Sequence, residues 1–211
     1  MDPLTMEVVR AIHQTPVQAV LYMTGGASQS VGSLLSTEGA SATVLEVRVP
    51  YAMQSQDELL GRVPEKYVCC ETARDLARLA YVRAVHLTRT GSPVVGLGVE
   101  CSLVSGRPKR GLHQCFVAAY SSEQVVVYNL VLSKGDRDRE GEDKITSQLL
   151  IQALADACEV HTLNKLIDCE LKLGSDSTLE GEGDKLEVTR VPHTDALDAL
   201  LNGEEHLVEF S

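Results

Sequence analysis

The chain has 211 residues, 44% of them hydrophobic, and a formal net charge of −11. That is enough apolar content for one sizeable core, while no apolar run approaches the ~18 residues that a membrane span needs. The charge excludes a nucleic-acid binder, and it is lopsided, because eleven of the 30 acids but only three of the 19 Lys and Arg residues fall at or beyond Glu170.

Residues 1–16 carry acids and no long apolar centre, so neither a signal nor a transit peptide is expected. The six cysteines contain no Cys-x-x-Cys pair. They read as buried free thiols of a reducing, cytoplasmic compartment, not as a zinc or redox site. No metal and no cofactor are expected.

In chain order, residues 4–13 predict a helix with Met6, Val9 and Ile12 at helical spacing. Residues 17–23 form a mostly apolar run of strand length, as in a strand covered on both faces. Thr24-Gly25-Gly26 makes a turn, and residues 27–36 predict a helix with Val31, Leu34 and Leu35 inward. Backbone N–H groups at such a strand-to-helix junction can hold an anion; plain turn chemistry is the competing reading. Residues 39–41, Gly-Ala-Ser, form a small-residue turn, followed by a strand at 43–49, Tyr51 at its end and a short helix at 54–60.

Residues 71–89 give the clearest helix, with Ala73, Leu76, Ala77, Ala80 and Ala84 on one narrow apolar stripe. Gly91-Ser92-Pro93 stops it, and residues 93–99 predict a third strand, parallel to the earlier ones because a helix crosses over before it. A basic loop at Arg107, Lys109 and Arg110 follows. Residues 112–120 and 124–132 predict strands joined by a tight link, hence antiparallel. Residues 139–160 predict the last long helix, with Ile145, Leu149, Ala153, Leu154 and Ala157 inward and Glu140, Glu142 and Asp143 near its positive end.

The expected fold is α/β: a three-layer α/β/α sandwich on a mixed, mostly parallel five-stranded sheet with a C-terminal hairpin portion, occupying residues 1–171. Residues 172–211 read as an acidic linker and a short β/α lead-in, with strands at 185–191 and 206–210 and a helix at 195–201. This segment either docks on the first domain or leads to a second domain outside this chain.

Taken together, Thr24-Gly25-Gly26, Gly39-Ala40-Ser41, Tyr51, Leu60-Gly61 and Gly135-Asp136-Arg137 resemble the C-terminal domain of the CinA family, whose members include nicotinamide mononucleotide deamidases. The likeness spans residues 17–160 and is closest to the plant and algal branch, where this domain precedes a nucleotidylyltransferase. The transferase's His-x-Gly-His type signature is absent from this sequence. The resemblance implies a three-layer α/β/α fold, a homo-oligomer, and a small nucleotide such as nicotinamide mononucleotide as ligand. In the family a serine attacks the carboxamide, a lysine acts as base near a tyrosine, and ammonia leaves. Ser41 falls on the serine, Tyr51 on the tyrosine, and Arg137 on an arginine suited to a substrate phosphate. Thr24, Gly25 and Gly26 fall on a substrate-binding motif.

The departures are specific. The family lysine corresponds to Gln56, which cannot act as a base. The family's Thr-Gly loop corresponds to Glu100-Cys101. The first motif has two registers, and without a gap Thr24 itself falls on that motif's serine. Glu100 is a candidate replacement base, or a carboxylate held by the basic loop. Two readings remain. One is a degenerate family member acting as a nucleotide-binding, regulatory or dimerisation module linked to pyridine nucleotide metabolism. The other is an active amidohydrolase with Ser41 as nucleophile and a base other than lysine. Residues acting as a unit fail as a unit, so two losses in one site favour the first.

Overall fold

A computed structural model describes residues 2–107, 110–160 and 183–193. The chain opens with α1 (Pro3–His13), started by a proline in its first turn and by Asp2, whose carboxylate accepts from the Thr5 backbone N–H at 2.9 Å. Such a cap satisfies an orphan donor of the first turn. The next elements are β1 (Gln18–Thr24), α2 (Ser28–Leu35), the four-residue α3 (Ala40–Thr43), β2 (Val44–Arg48) and α4 (Met53–Leu60). Then come α5 (Cys70–Leu87), β3 (Val94–Ser102), β4 (His113–Tyr120), β5 (Gln124–Leu132), α6 (Arg139–Ala157) and β6 (Lys185–Pro192).

The strands form one sheet in the order β2-β1-β3-β4-β5-β6. Strands β2, β1 and β3 are parallel, and the remaining pairings are antiparallel. Two expectations are thereby corrected. The sheet has six strands, because residues 185–192 pair with β5 along its whole length, and parallel pairings are in the minority. Short links enforce hairpins, and only the two helical crossovers yield parallel neighbours. The other elements expected in the C-terminal lead-in, at 195–201 and 206–210, lie outside the described residues.

Helices cover both faces. On one, α1, α2 and α6 pack on β1, β3, β4 and β5 through Ile12, Leu21, Leu97, Leu130, Leu149 and Leu154. On the other, the expected alanine stripe of α5 lies on the sheet, and Ala73, Ala77, Ala80 and Ala84 are all fully buried. The strand beneath it carries Gly96 and Gly98 for a steric reason. A Cβ at Gly98 would stand 2.1 Å from the Ala73 carbonyl oxygen, and one at Gly96 would stand 2.1 Å from the Tyr81 nitrogen. Small residues on both partners let helix and sheet backbones approach closely.

The C-terminal strand is pinned by charge. Asp184, just before β6, takes a bidentate bond from Arg137 (Nη1–Oδ1 3.0 Å, Nη2–Oδ2 2.6 Å) and the Ser133 backbone N–H at 2.9 Å. Among the described residues no helix is long and apolar enough to cross a membrane.

Candidate functional site at the ends of the parallel strands

In open α/β sheets the crevice beyond the carboxyl ends of the strands, where the chain reverses its direction of winding, is the general ligand position. Here that place is the end of β1 and β3. Thr24, the last residue of β1, is the register partner of Glu100 on β3. Alternation along the strand sends neighbouring side chains to opposite faces. The sheet end therefore has two unlike sides.

On the α5 side the chemistry is polar and closed. Glu100 is fully buried. Thr24 Oγ1 donates to its Oε2 at 2.8 Å, and Gln56 Nε2 donates to its Oε1. Burial pushes the Glu100 carboxyl up to about 8, and the hydrogen bonds from Thr24 and Gln56 offset this only in part. Gln56 is the single buried side chain of α4, so this bond also fastens α4 over the strand ends. The structure thus brings together Thr24 of the first motif with Gln56 and Glu100, two positions where the sequence departs from the CinA pattern. A glutamine amide holds no proton-accepting site of useful basicity, and the acid beside Thr24 is sealed from solvent.

On the α6 side lies an open cavity of about 650 Å³. Met23, Val31, Val49 and Tyr51 give it apolar walls, Gly25 and Gly26 its floor, and Arg139, Glu140 and Asp143 one flank. Tyr51 is 70% exposed. The turn glycines answer to packing: Gly25 has φ +76°, and a Cβ there would sit 2.1 Å from the Cys101 carbonyl oxygen.

The N-terminus of α2, which faces this cavity, is occupied from within. Asp143 of α6 accepts from the Ser28 N–H (3.1 Å), the Ser28 hydroxyl (2.8 Å) and the Gln29 N–H (3.2 Å). Thr146 Oγ1 takes the Ala27 N–H at 3.1 Å. A helix N-terminus offers an anion free N–H groups and a positive dipole end; here an internal carboxylate takes both. Its neighbour Glu142 is fully buried, accepting from the Val104 N–H at 2.6 Å and bonded to His113 Nδ1 at 2.6 Å. Sequence reading placed both acids at the positive end of their own helix. The available signal was their position on the inward stripe, Glu142 falling one turn before Ile145.

The other predicted residues lie apart. Ser41 is an exposed residue of α3, before β2, whereas Tyr51 lies after it. The strand between them has five residues, roughly 16 Å at about 3.3 Å per residue. They do not share a pocket, and among the described residues Ser41 has no hydrogen bond to a lysine, histidine or carboxylate. Nearby His13 has both ring nitrogens engaged, by Thr43 Oγ1 at 2.9 Å and the Leu34 carbonyl at 3.0 Å. Arg137 is turned to Asp184. In the basic loop Arg107 and Arg110 are exposed, and Lys109 lies outside the described residues. Among the described residues no group of three or more His, Cys, Asp or Glu side chains is arranged to hold a metal ion.

A mixed sheet with a parallel half, helices on both faces and a cavity at the strand ends defines an α/β domain. No protein-family model matches the sequence, and no curated protein matches it. Solved structures do. A competence-damaged protein (CinA) superfamily protein from Klebsiella pneumoniae aligns with a TM-score of 0.58 at 12% identity, over 74% of this chain and 96% of that one. The competence/damage inducible protein CihA from Agrobacterium tumefaciens aligns at 0.51 and 19% identity, over 78% and 98%. A competence or damage-inducible protein from Enterobacter asburiae aligns at 0.53 and 11%, over 79% and 96%. The chain has the fold of CinA superfamily proteins.

Proposed function

We propose that this chain is a CinA-like domain that binds a small ligand without hydrolysing it, a regulatory or assembly module with a link to pyridine nucleotide metabolism. One observation carries this reading: Gln56, at the position of the family base, is spent on a buried carboxyl that also takes the Thr24 hydroxyl. A serine or threonine hydroxyl needs a base to become a nucleophile, and a base must lie within hydrogen-bond reach of it on a surface the substrate can enter. Ser41 is open to substrate and has no such base among the described residues. Thr24 has the acid Glu100 and lies on the closed side of the sheet.

The test is ammonia release from nicotinamide mononucleotide by the full chain, with Ser41→Ala and Thr24→Ala measured in parallel. The expected outcome is no release above the buffer rate from any of the three. Release by the unmodified chain that is lost in either variant would establish the amidohydrolase reading and overturn this one. The resemblance further suggests a homo-oligomer, which light scattering of the eluting protein would reveal as a mass of at least twice 22.8 kDa.

A further inference from the structure

The cavity beside Tyr51 has the size of a small-molecule site, within the roughly 300–1,000 Å³ usual for such pockets. Which ligand it suits depends on what its polar groups have left to offer. Two features read from the sequence as anion handles are committed elsewhere. The N–H groups at the start of α2 are taken by Asp143 and Thr146. Arg137 is paired with Asp184. Arg139 is the one cation lining the cavity among the described residues. Its Nη2 donates to the Gly25 carbonyl at 2.6 Å and its Nη1 to the Val104 carbonyl at 3.3 Å. It works as a strap between α6 and the strand ends.

Two carboxylates, Glu140 and Asp143, stand on the same flank. A phosphate entering here would meet two negative groups and one cation already engaged. The same cavity is lined by the exposed ring of Tyr51 and by the apolar side chains of Met23, Val31 and Val49. A ring face of this kind stacks on flat heterocycles and attracts cations through its quadrupole.

From this charge pattern and shape we infer that the cavity receives a planar aromatic ring, neutral or cationic, that bears no phosphate: a nucleoside or a free heterocyclic amide instead of a nucleotide. The inference rests on the binding-module reading and narrows its ligand. It reverses what the motif resemblance implied, because the chain has filled its own anion site with Asp143.

Isothermal titration of the full chain with nicotinamide riboside and with nicotinamide mononucleotide tests it, with adenosine and adenosine monophosphate as a second pair. In at least one pair the nucleoside should bind at least tenfold tighter than its monophosphate. That binding should weaken at least tenfold in Tyr51→Ala and return in Tyr51→Phe. Tighter binding of the monophosphate, lost in Tyr51→Ala, would overturn the inference and leave the binding-module reading intact. Nucleoside binding that is equal in Tyr51→Ala would also overturn it, by placing the ligand elsewhere. No heat with any of the four probes would overturn the inference and count against the ligand-binding reading together.

Discussion

The two sides of the sheet at Thr24 differ in access and in chemistry. On one side the Thr24, Gln56 and Glu100 side chains close on one another beneath α4. A few ångströms of backbone away, on the other side, Tyr51 stands open over an apolar hollow. The polar cluster is sealed from solvent, whereas the hollow is open, and the Ser28 hydroxyl on its lining is held by the Asp143 carboxylate as part of the α2 cap. The strand alternation that separates Thr24 from Met23 and Gly25 is what keeps the two sides apart.

The closed side offers the largest effect. Glu100 carries its proton to a higher pH in the folded chain than in the unfolded one, about 8 against an ordinary 4.5. In that window the folded state binds more protons than the unfolded state, so stability falls as pH rises from about 4.5 to about 8 and is flat beyond. At about 1.4 kcal/mol per pK unit the penalty at pH 8.5 is on the order of a few kcal/mol. Glu100→Gln keeps the shape and removes the titration. Urea unfolding of both proteins at pH 5, 6.5 and 8.5 should show the variant gaining on the unmodified chain as pH rises, and exceeding it at pH 8.5. Parallel pH profiles would mean that Glu100 is not held as an acid, and the contrast between the two sides would collapse.

The boundary between the sides offers an intermediate effect. Asp143→Ala removes the acceptor that caps α2 from a neighbouring helix, leaving N–H groups at Ser28 and Gln29 unpaired. Loss of a cap costs about 1–2 kcal/mol, which at this chain length lowers Tm by roughly 2–8 °C. The sharper result is with inorganic phosphate. It should raise the Tm of Asp143→Ala, whose helix N-terminus is now free, and leave that of the unmodified chain unchanged at the same ionic strength. Equal shifts in both proteins would show that the anion site was never filled by Asp143.

What was legible in the sequence follows the same division. Elements set by local periodicity were readable: the strand at 124–132 was expected over the residues of β5, and the alanine stripe of α5 faces the sheet as its spacing required. The CinA-like layering was readable too, with helices on both faces. The strand count was not, because β6 follows an acidic stretch and gains its place only by pairing with β5. The polar partners were hidden for a related reason. Ser28 and Asp143 lie 115 residues apart in the chain, and Arg137 lies 47 residues from Asp184. A motif match names a residue type at a position, and it carries no information about a distant carboxylate that has already claimed that residue. Arg137 and the α2 N-terminus were both read as free for a ligand on that ground.

The open side offers the smallest effect on stability, and that is its diagnostic value. Tyr51 is 70% exposed, and its hydroxyl makes no hydrogen bond among the described residues. Surface substitutions away from caps, cores and ion pairs usually change stability by no more than about 0.5 kcal/mol. Tyr51→Ala should therefore unfold in urea at the midpoint of the unmodified chain, as should Ser41→Ala, also an exposed side chain without a hydrogen-bond partner among the described residues. An unchanged midpoint would show that the ring adds nothing to the stability of the fold. A loss of more than about 1 kcal/mol in Tyr51→Ala would exceed that surface range. It would show the ring to be part of the packing between α2 and the β2–α4 segment, and would remove the open side's main claim to be a site.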